Sequence, residues 1–220
     1  MKSLIKLFSY LGSVLLICAV VSACAPTKPN VDSTTWLIAP KRVGETRKAN
    51  SDFWLKMGAV SVNGPFDSKS MVYRLSDQRY EKDFYNGYIS TPAEMIGNAT
   101  RQWLADATIF RATLNQSNTF FPYYTLQVNV TEFYGDYRSQ GEAVVSMEFY
   151  LAMLSSGSQN PFLMTHRYTQ RVALNDNRPD SLAKGLEQAT ARILQAFEQD
   201  LYMGTRNLPK PLGQQKLLSK

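Results

Sequence analysis

Few side chains in this sequence could carry chemistry, and they do not gather. His166 is the single histidine. It runs in step with Phe162, Met164 and Tyr168 along a strand-like stretch and has no catalytic partner close by in sequence, so a core or interface position is expected rather than acid–base work. One imidazole rules out any site that needs two and removes most zinc chemistry. Ser155-Ser156-Gly157-Ser158 supplies hydroxyls but lacks the strand-to-helix elbow that exposes a nucleophilic serine, and it reads as a polar loop. Glu142 and Glu148 stand six apart on one strand, out of step with Val145, a spacing that makes neither a carboxylate pair nor a metal cage compelling. The sequence contains no glycine-rich phosphate cradle. No catalytic residue, metal or cofactor is expected. The remaining reactive group is the thiol of Cys24, directly after Val21-Ser22-Ala23. A thiol is a nucleophile that can become a thioether bearing diacylglycerol.

What positions that thiol is the apolar run from Leu7 to Val21 behind Lys2 and Lys6. The run is too short for a comfortable membrane span and reads as a signal peptide, residues 1–23, removed in front of Cys24. Val21-Ser22-Ala23-Cys24 resembles a bacterial lipobox, in which small residues fit the peptidase; the alternative is an ordinary secretory cut with an incidental cysteine. Each buried methylene of an acyl chain contributes about 0.8 kcal/mol, so several chains hold a protein on a membrane without a spanning helix. Ala25 follows the cysteine where retention at the inner membrane usually goes with aspartate, so the expected location is the periplasmic face of the outer membrane.

Cleavage leaves 22 basic and 18 acidic residues, a net charge of +4 spread along the chain, which gives nucleic-acid binding little support. Only Cys24 remains of the two cysteines, so no intramolecular disulfide can form and packing must supply stability. Residues 24–33, polar and interrupted by Pro26 and Pro29, read as a lipidated tether. Residues 34–203 are of a length for one domain, and residues 204–220, with Arg206, Lys210, Lys216 and Lys220 and no acidic residue, read as a flexible basic tail.

Within the domain, Thr34 to Ile38 is predicted as a short strand, followed by a charged surface loop over 41–52. Phe53 to Val62 and Met71 to Leu75 are strands, the latter forming a hairpin with Arg79 to Tyr85. Thr91-Pro92-Ala93-Glu94 carries the signature of a capping box and opens a helix whose apolar face is Met95, Ile96, Ala99, Trp103, Leu104 and Ala107. Ile109 to Leu114 is a further strand. Tyr124, Leu126, Val128 and Val130 alternate with polar residues, Glu142 to Leu154 and Phe162 to Leu174 follow as long strands, and Tyr134 to Gly141 reads as a turn. Together the three long strands make an antiparallel meander. Pro179 opens a last helix with Leu182, Leu186, Ala189, Ile193, Ala196, Phe197 and Leu201 on one side. The expected fold is an α/β (α+β) two-layer sandwich, a mostly antiparallel sheet with both helices on one face.

The hairpin concentrates Tyr73, Tyr80, Phe84, Tyr85 and Tyr88 beside Arg74 and Arg79, the residue types that dominate interface energetics. Arg74, Arg79, Tyr80, Tyr85 and Tyr88 are the candidate partner interface; the alternative is that these rings close the core.

A lipobox, a tether, Trp36-Leu37-Ile38, strands leading to Val72-Tyr73-Arg74, Tyr88-Ile89-Ser90-Thr91-Pro92 opening a helix, a meander and a final helix resemble the ABC-type transport auxiliary lipoproteins. These are the lipoprotein components of paraquat-inducible, MCE-type intermembrane lipid transport systems. The aromatic residue before the helix, often tryptophan in that family, is Tyr88 here, and the loop over 41–52 is longer. The resemblance implies a non-catalytic accessory that docks a periplasmic tunnel of MCE-type subunits to the outer membrane, and it allows a homo-oligomeric ring. A scaffold lipoprotein of another outer-membrane machine, or an envelope hydrolase, are the alternatives.

Overall fold

The computed structural model describes residues 33–48, 51–120, 122–153 and 162–209, without the side chains of residues 51 and 52. The expected signal peptide, Cys24, the tether up to Asp32, the Ser155 to Ser158 loop and residues 210–220 lie outside the described residues. In chain order the elements are β1 (Thr34–Trp36), β2 (Ser51–Val62), a 3-10 turn (Gly64–Phe66), β3 (Ser70–Arg74), β4 (Tyr80–Tyr88), α1 (Pro92–Ala107), β5 (Phe110–Leu114), β6 (Tyr124–Asp136), β7 (Glu142–Met153), β8 (Phe162–Ala173), α2 (Pro179–Gly204) and a closing 3-10 turn (Thr205–Asn207).

The sheet is organised on β6. On one side β6 pairs antiparallel with β7, and β7 with β8, which is the expected meander and supplies the longest ladders. On its other side β6 pairs in parallel with β2, from Leu55↔Tyr124 to Val62↔Val130, and then with β3 at Tyr73↔Gly135 and Arg74↔Asp136. β5 extends the sheet beyond β2, while β4 and then β1 extend it beyond β3. Among the described residues the result is a mixed, mostly antiparallel eight-stranded sheet with two helices, an α/β fold.

Tyr124, Leu126, Val128 and Val130 are all buried on the helix face, as their alternation requires. A bulge at Thr131, between Val130↔Met147 and Glu132↔Ser146, then reverses the phase. Because the side-chain period is 2, one extra residue sends Phe133 to the helix face and Tyr134 to the other. The expected turn over 134–141 therefore shrinks, since β6 continues to Asp136.

α1 begins at a capping box: the Thr91 hydroxyl accepts from the Glu94 amide at 3.3 Å and the Thr91 amide donates to Glu94 Oε2 at 3.2 Å. Met95, Ile96, Ala99, Trp103, Leu104 and Ala107 are buried, as their spacing predicts. Phe197 of α2 stacks on Phe149 of β7 with centroids 3.9 Å apart. The face of β7 that meets α2 is continuous through Val128↔Phe149 and Val60↔Val128 with the part of β2 that Gly97 of α1 approaches, so both helices cover one face.

Two irregular segments are held more closely than their composition suggests. Residues 41–48 form the expected loop and are mostly exposed, but Arg42 reaches Glu198 in α2 and the Arg47 amide donates to the Ala107 carbonyl at 3.1 Å, while residues 51 and 52 of the expected loop belong to β2. The chain beyond Gly204 is also held over its described part. Thr205 is buried, Leu208 packs on the core, and the Tyr124 hydroxyl donates to the Pro209 carbonyl at 2.6 Å.

Candidate functional site

The hairpin of β3 and β4 divides the five candidate interface residues into three environments. Tyr88 is only 2% exposed and packs against Phe133. It belongs to the core, because its ring points to the sheet face where Phe133 lies, and its place among interface residues is withdrawn. Burial pushes its phenol far above the ordinary range, and its hydroxyl has no partner among the described residues. A buried hydroxyl left unbonded is unfavourable by about 1–3 kcal/mol. Tyr88→Phe should therefore raise stability by about 1 kcal/mol in urea titration and leave partner binding unchanged; a clear loss of either would return Tyr88 to the functional surface.

At the turn end, Arg74 donates to the carbonyls of Ser76 (3.3 Å) and Asp77 (3.2 Å) and lies over the Tyr80 ring at 5.4 Å. Tyr80 itself meets Phe66 and Tyr134 edge to face. Arg74 is thus a brace that holds the turn on the sheet face away from the helices. Arg79 projects into solvent and bonds Glu81 at 3.0 Å, an exposed pair that contributes about 1 kcal/mol or less. Arg79 and the outer edge of Tyr80 form the accessible surface at this end.

Further along β4, Tyr85 is exposed beside Phe84, which is 80% exposed. Both ride on a bulge tied by Asp83, whose carboxylate accepts from the Tyr85 amide (2.7 Å), the Asn86 amide (2.9 Å) and the Tyr73 hydroxyl. Burial pushes the Asp83 pKa up, but these donors outweigh it and hold the group below the ordinary carboxylate value.

The other polar clusters are built as structure. Glu198, with its side chain 4% exposed, accepts from Arg42 Nε (2.8 Å), Arg47 Nε (2.6 Å) and the Trp103 indole (2.8 Å), tying the 41–48 segment to both helices. Sequence reasoning missed this hub. The signal was an acid at 198 between Phe197 and Leu201 on an apolar stripe, which must find cations when buried. On the opposite sheet face Arg138 holds Asp136 well below the usual carboxylate range, with Arg171 adding to the effect against opposing burial. Glu148, also lowered, accepts from Asn129, Arg167 and Tyr150.

His166 stacks on Tyr168, and its Nδ1 lies 3.7 Å from Asp200 Oδ2, which also accepts the Tyr168 hydroxyl at 2.5 Å. This half-exposed cluster joins β8 to α2 without a serine, threonine or cysteine in its bonds. Among the described residues no group of three His, Cys, Asp or Glu side chains could hold a metal ion, and no helix is long and apolar enough to cross a membrane.

The geometry is that of a sheet-and-helix domain with braced surface aromatics and with Glu198, Asp136 and Glu148 committed to ion pairs. The chain belongs to the ABC-type transport auxiliary lipoprotein component family, whose model matches residues 37–197. The fold is similar to that of protein XCC0632 from Xanthomonas campestris, with a TM-score of 0.69 at 15% identity, covering 84% of this chain and 99% of that one. A second solved structure, an uncharacterized protein, is similar with a TM-score of 0.61 at 19% identity, covering 77% of this chain and 98% of its own. A comparison with curated proteins finds no match.

Proposed function

We propose that this protein is a non-catalytic lipoprotein, acylated on Cys24 and held on the periplasmic face of the outer membrane, that docks the periplasmic tunnel of an MCE-type intermembrane lipid transport system. The observation that carries this reading is the family match over residues 37–197, which supports a role as the auxiliary component of an ABC-type transporter. The lipobox-like Val21-Ser22-Ala23-Cys24 and the following Ala25 support the outer-membrane location. Docking through Arg79 and the outer edge of Tyr80 is supported by their exposure on a braced turn, since preorganised arginine and tyrosine side chains lose little entropy on binding.

The test is co-purification of the acylated protein with an MCE-type periplasmic subunit. Arg79→Glu should weaken capture about tenfold or more, as like-charge juxtaposition costs an interface several kcal/mol. Because only an exposed pair is lost, thermal stability should move by a few degrees at most. His166→Ala should leave transport intact. A folded His166→Ala protein that abolishes transport while Arg79→Glu is silent would favour a hydrolase instead.

A further inference from the structure

The bulge in β4 is large and tied from within. The ladder between β3 and β4 jumps from Val72↔Lys82 to Ser70↔Gly87, so Asp83 to Asn86 stand opposite the single residue Met71. Extra residues in one strand are pushed out of the sheet. Here the Asp83 carboxylate gathers the protruding amides and Asn86 Nδ2 (3.0 Å), fixing the loop. Gly87 closes it, because a side chain there would meet the Lys69 carbonyl at 2.5 Å. The rings this scaffold presents, Phe84 and Tyr85, touch only edge to face at 5.4 Å and otherwise face solvent. Two aromatic rings held side by side outside the sheet by a braced loop make an apolar patch of the kind that marks a contact site.

The chain itself indicates what is contacted. The strand covering this part of β4 is β1, with Thr34↔Asn86 and Thr35↔Gly87, so the polypeptide enters the domain directly beside the bulge. Thr34 stands ten residues after Cys24. Full extension over that length is at most about 36 Å, which is the furthest that Thr34 can stand from a bilayer holding Cys24. At the far end of the same strand pair Leu37 and Ile89 are also exposed.

We infer that the Asp83-braced Phe84–Tyr85 bulge is a second membrane contact that enters the headgroup region of the bilayer carrying the lipidated Cys24. The phenyl ring supplies apolar area, and the tyrosine keeps its hydroxyl at the level of the headgroups. Such a contact fixes the orientation of a domain that acyl chains alone would attach at a single point, and so presents the turn end of the hairpin in a defined direction. The inference rests on the acylation reading above.

The experiment places Phe84→Trp in the full acylated chain, reconstituted into vesicles of phosphatidylethanolamine and phosphatidylglycerol with or without brominated acyl chains. The emission added by the new indole, relative to the parent protein, should shift to the blue and be lost in the brominated vesicles. A Phe84→Ser, Tyr85→Ser protein should still float with the vesicles but lose its fixed orientation, read as protease access to residues around Thr34. If the parent chain does not float, the acylation reading fails and this inference with it. If the parent floats and the indole at position 84 remains unquenched, the bulge contact alone is wrong. An unquenched indole together with lost subunit capture by the double variant would assign the rings to a protein partner and overturn the membrane contact.

Discussion

Replacing Cys24 with serine is expected to abolish fatty-acid labelling and remove the protein from the outer-membrane fraction. The hydroxyl cannot form the thioether, and on the proposed reading the anchor is that thioether's acyl chains, which at about 0.8 kcal/mol per buried methylene hold a protein stably on a bilayer when two or more are present. Ala25→Asp separates anchoring from address: the label should persist while the protein moves to the inner-membrane fraction. Metabolic labelling with an alkyne fatty acid followed by density fractionation reads both. A serine variant that still labels and still fractionates with outer membranes would remove the central element of the functional reading.

Replacing Glu198 with alanine should produce the largest loss of fold stability, about 3–5 kcal/mol in urea titration. The reason lies in what remains. Arg42, with its side chain 7% exposed, would be left charged and buried, and the Trp103 indole would lose its acceptor. Glu198→Gln keeps an oxygen for the indole and should lose less. Double replacement, Glu198→Ala with Arg42→Ala, should recover part of the loss, because an uncompensated buried charge is the costly species. An alanine variant as stable as the parent would show that the 41–48 segment is not tied to the helices.

The same group gives stability a pH dependence. Burial pushes the Glu198 pKa up, but the bonds from Arg42, Arg47 and Trp103 prevail and the folded value lies below the ordinary one. A depressed carboxylate contributes stability that is fully present above its unfolded pKa, about 4.3, and is lost as pH falls through the folded value. Asp136, Glu148 and Asp83 shift in the same direction. The domain should therefore hold its urea midpoint down to about pH 5 and lose it steeply below about pH 4, and Glu198→Gln should flatten that profile.

Local signals in the chain determined a good deal. Thr91-Pro92-Ala93-Glu94 specified a helix start because a capping box needs only residues within one turn. The alternation from Tyr124 to Val130 specified which side of β6 is buried, and the apolar spacing of both helices specified the stripes that meet the sheet. The order of these elements with the lipobox was enough to indicate the family that the match over residues 37–197 shows.

What the sequence left open depends on residues far apart in the chain. The composition of 41–48 matches a solvated loop, and only the fold brings Arg42 and Arg47 within bonding distance of an acid some 150 positions away. Likewise Tyr80, Tyr85 and Tyr88 are equivalent as letters. Phe133 and the core bury one, the Phe66 and Tyr134 rings half-cover another, and the Asp83 bulge exposes the third, because exposure is set by what the fold packs on each face of the sheet. Short-range periodicity and capping are written into neighbouring residues, whereas charge pairing and the choice of exposed ring are consequences of strand order, and strand order is decided only when the whole sheet closes on its helices.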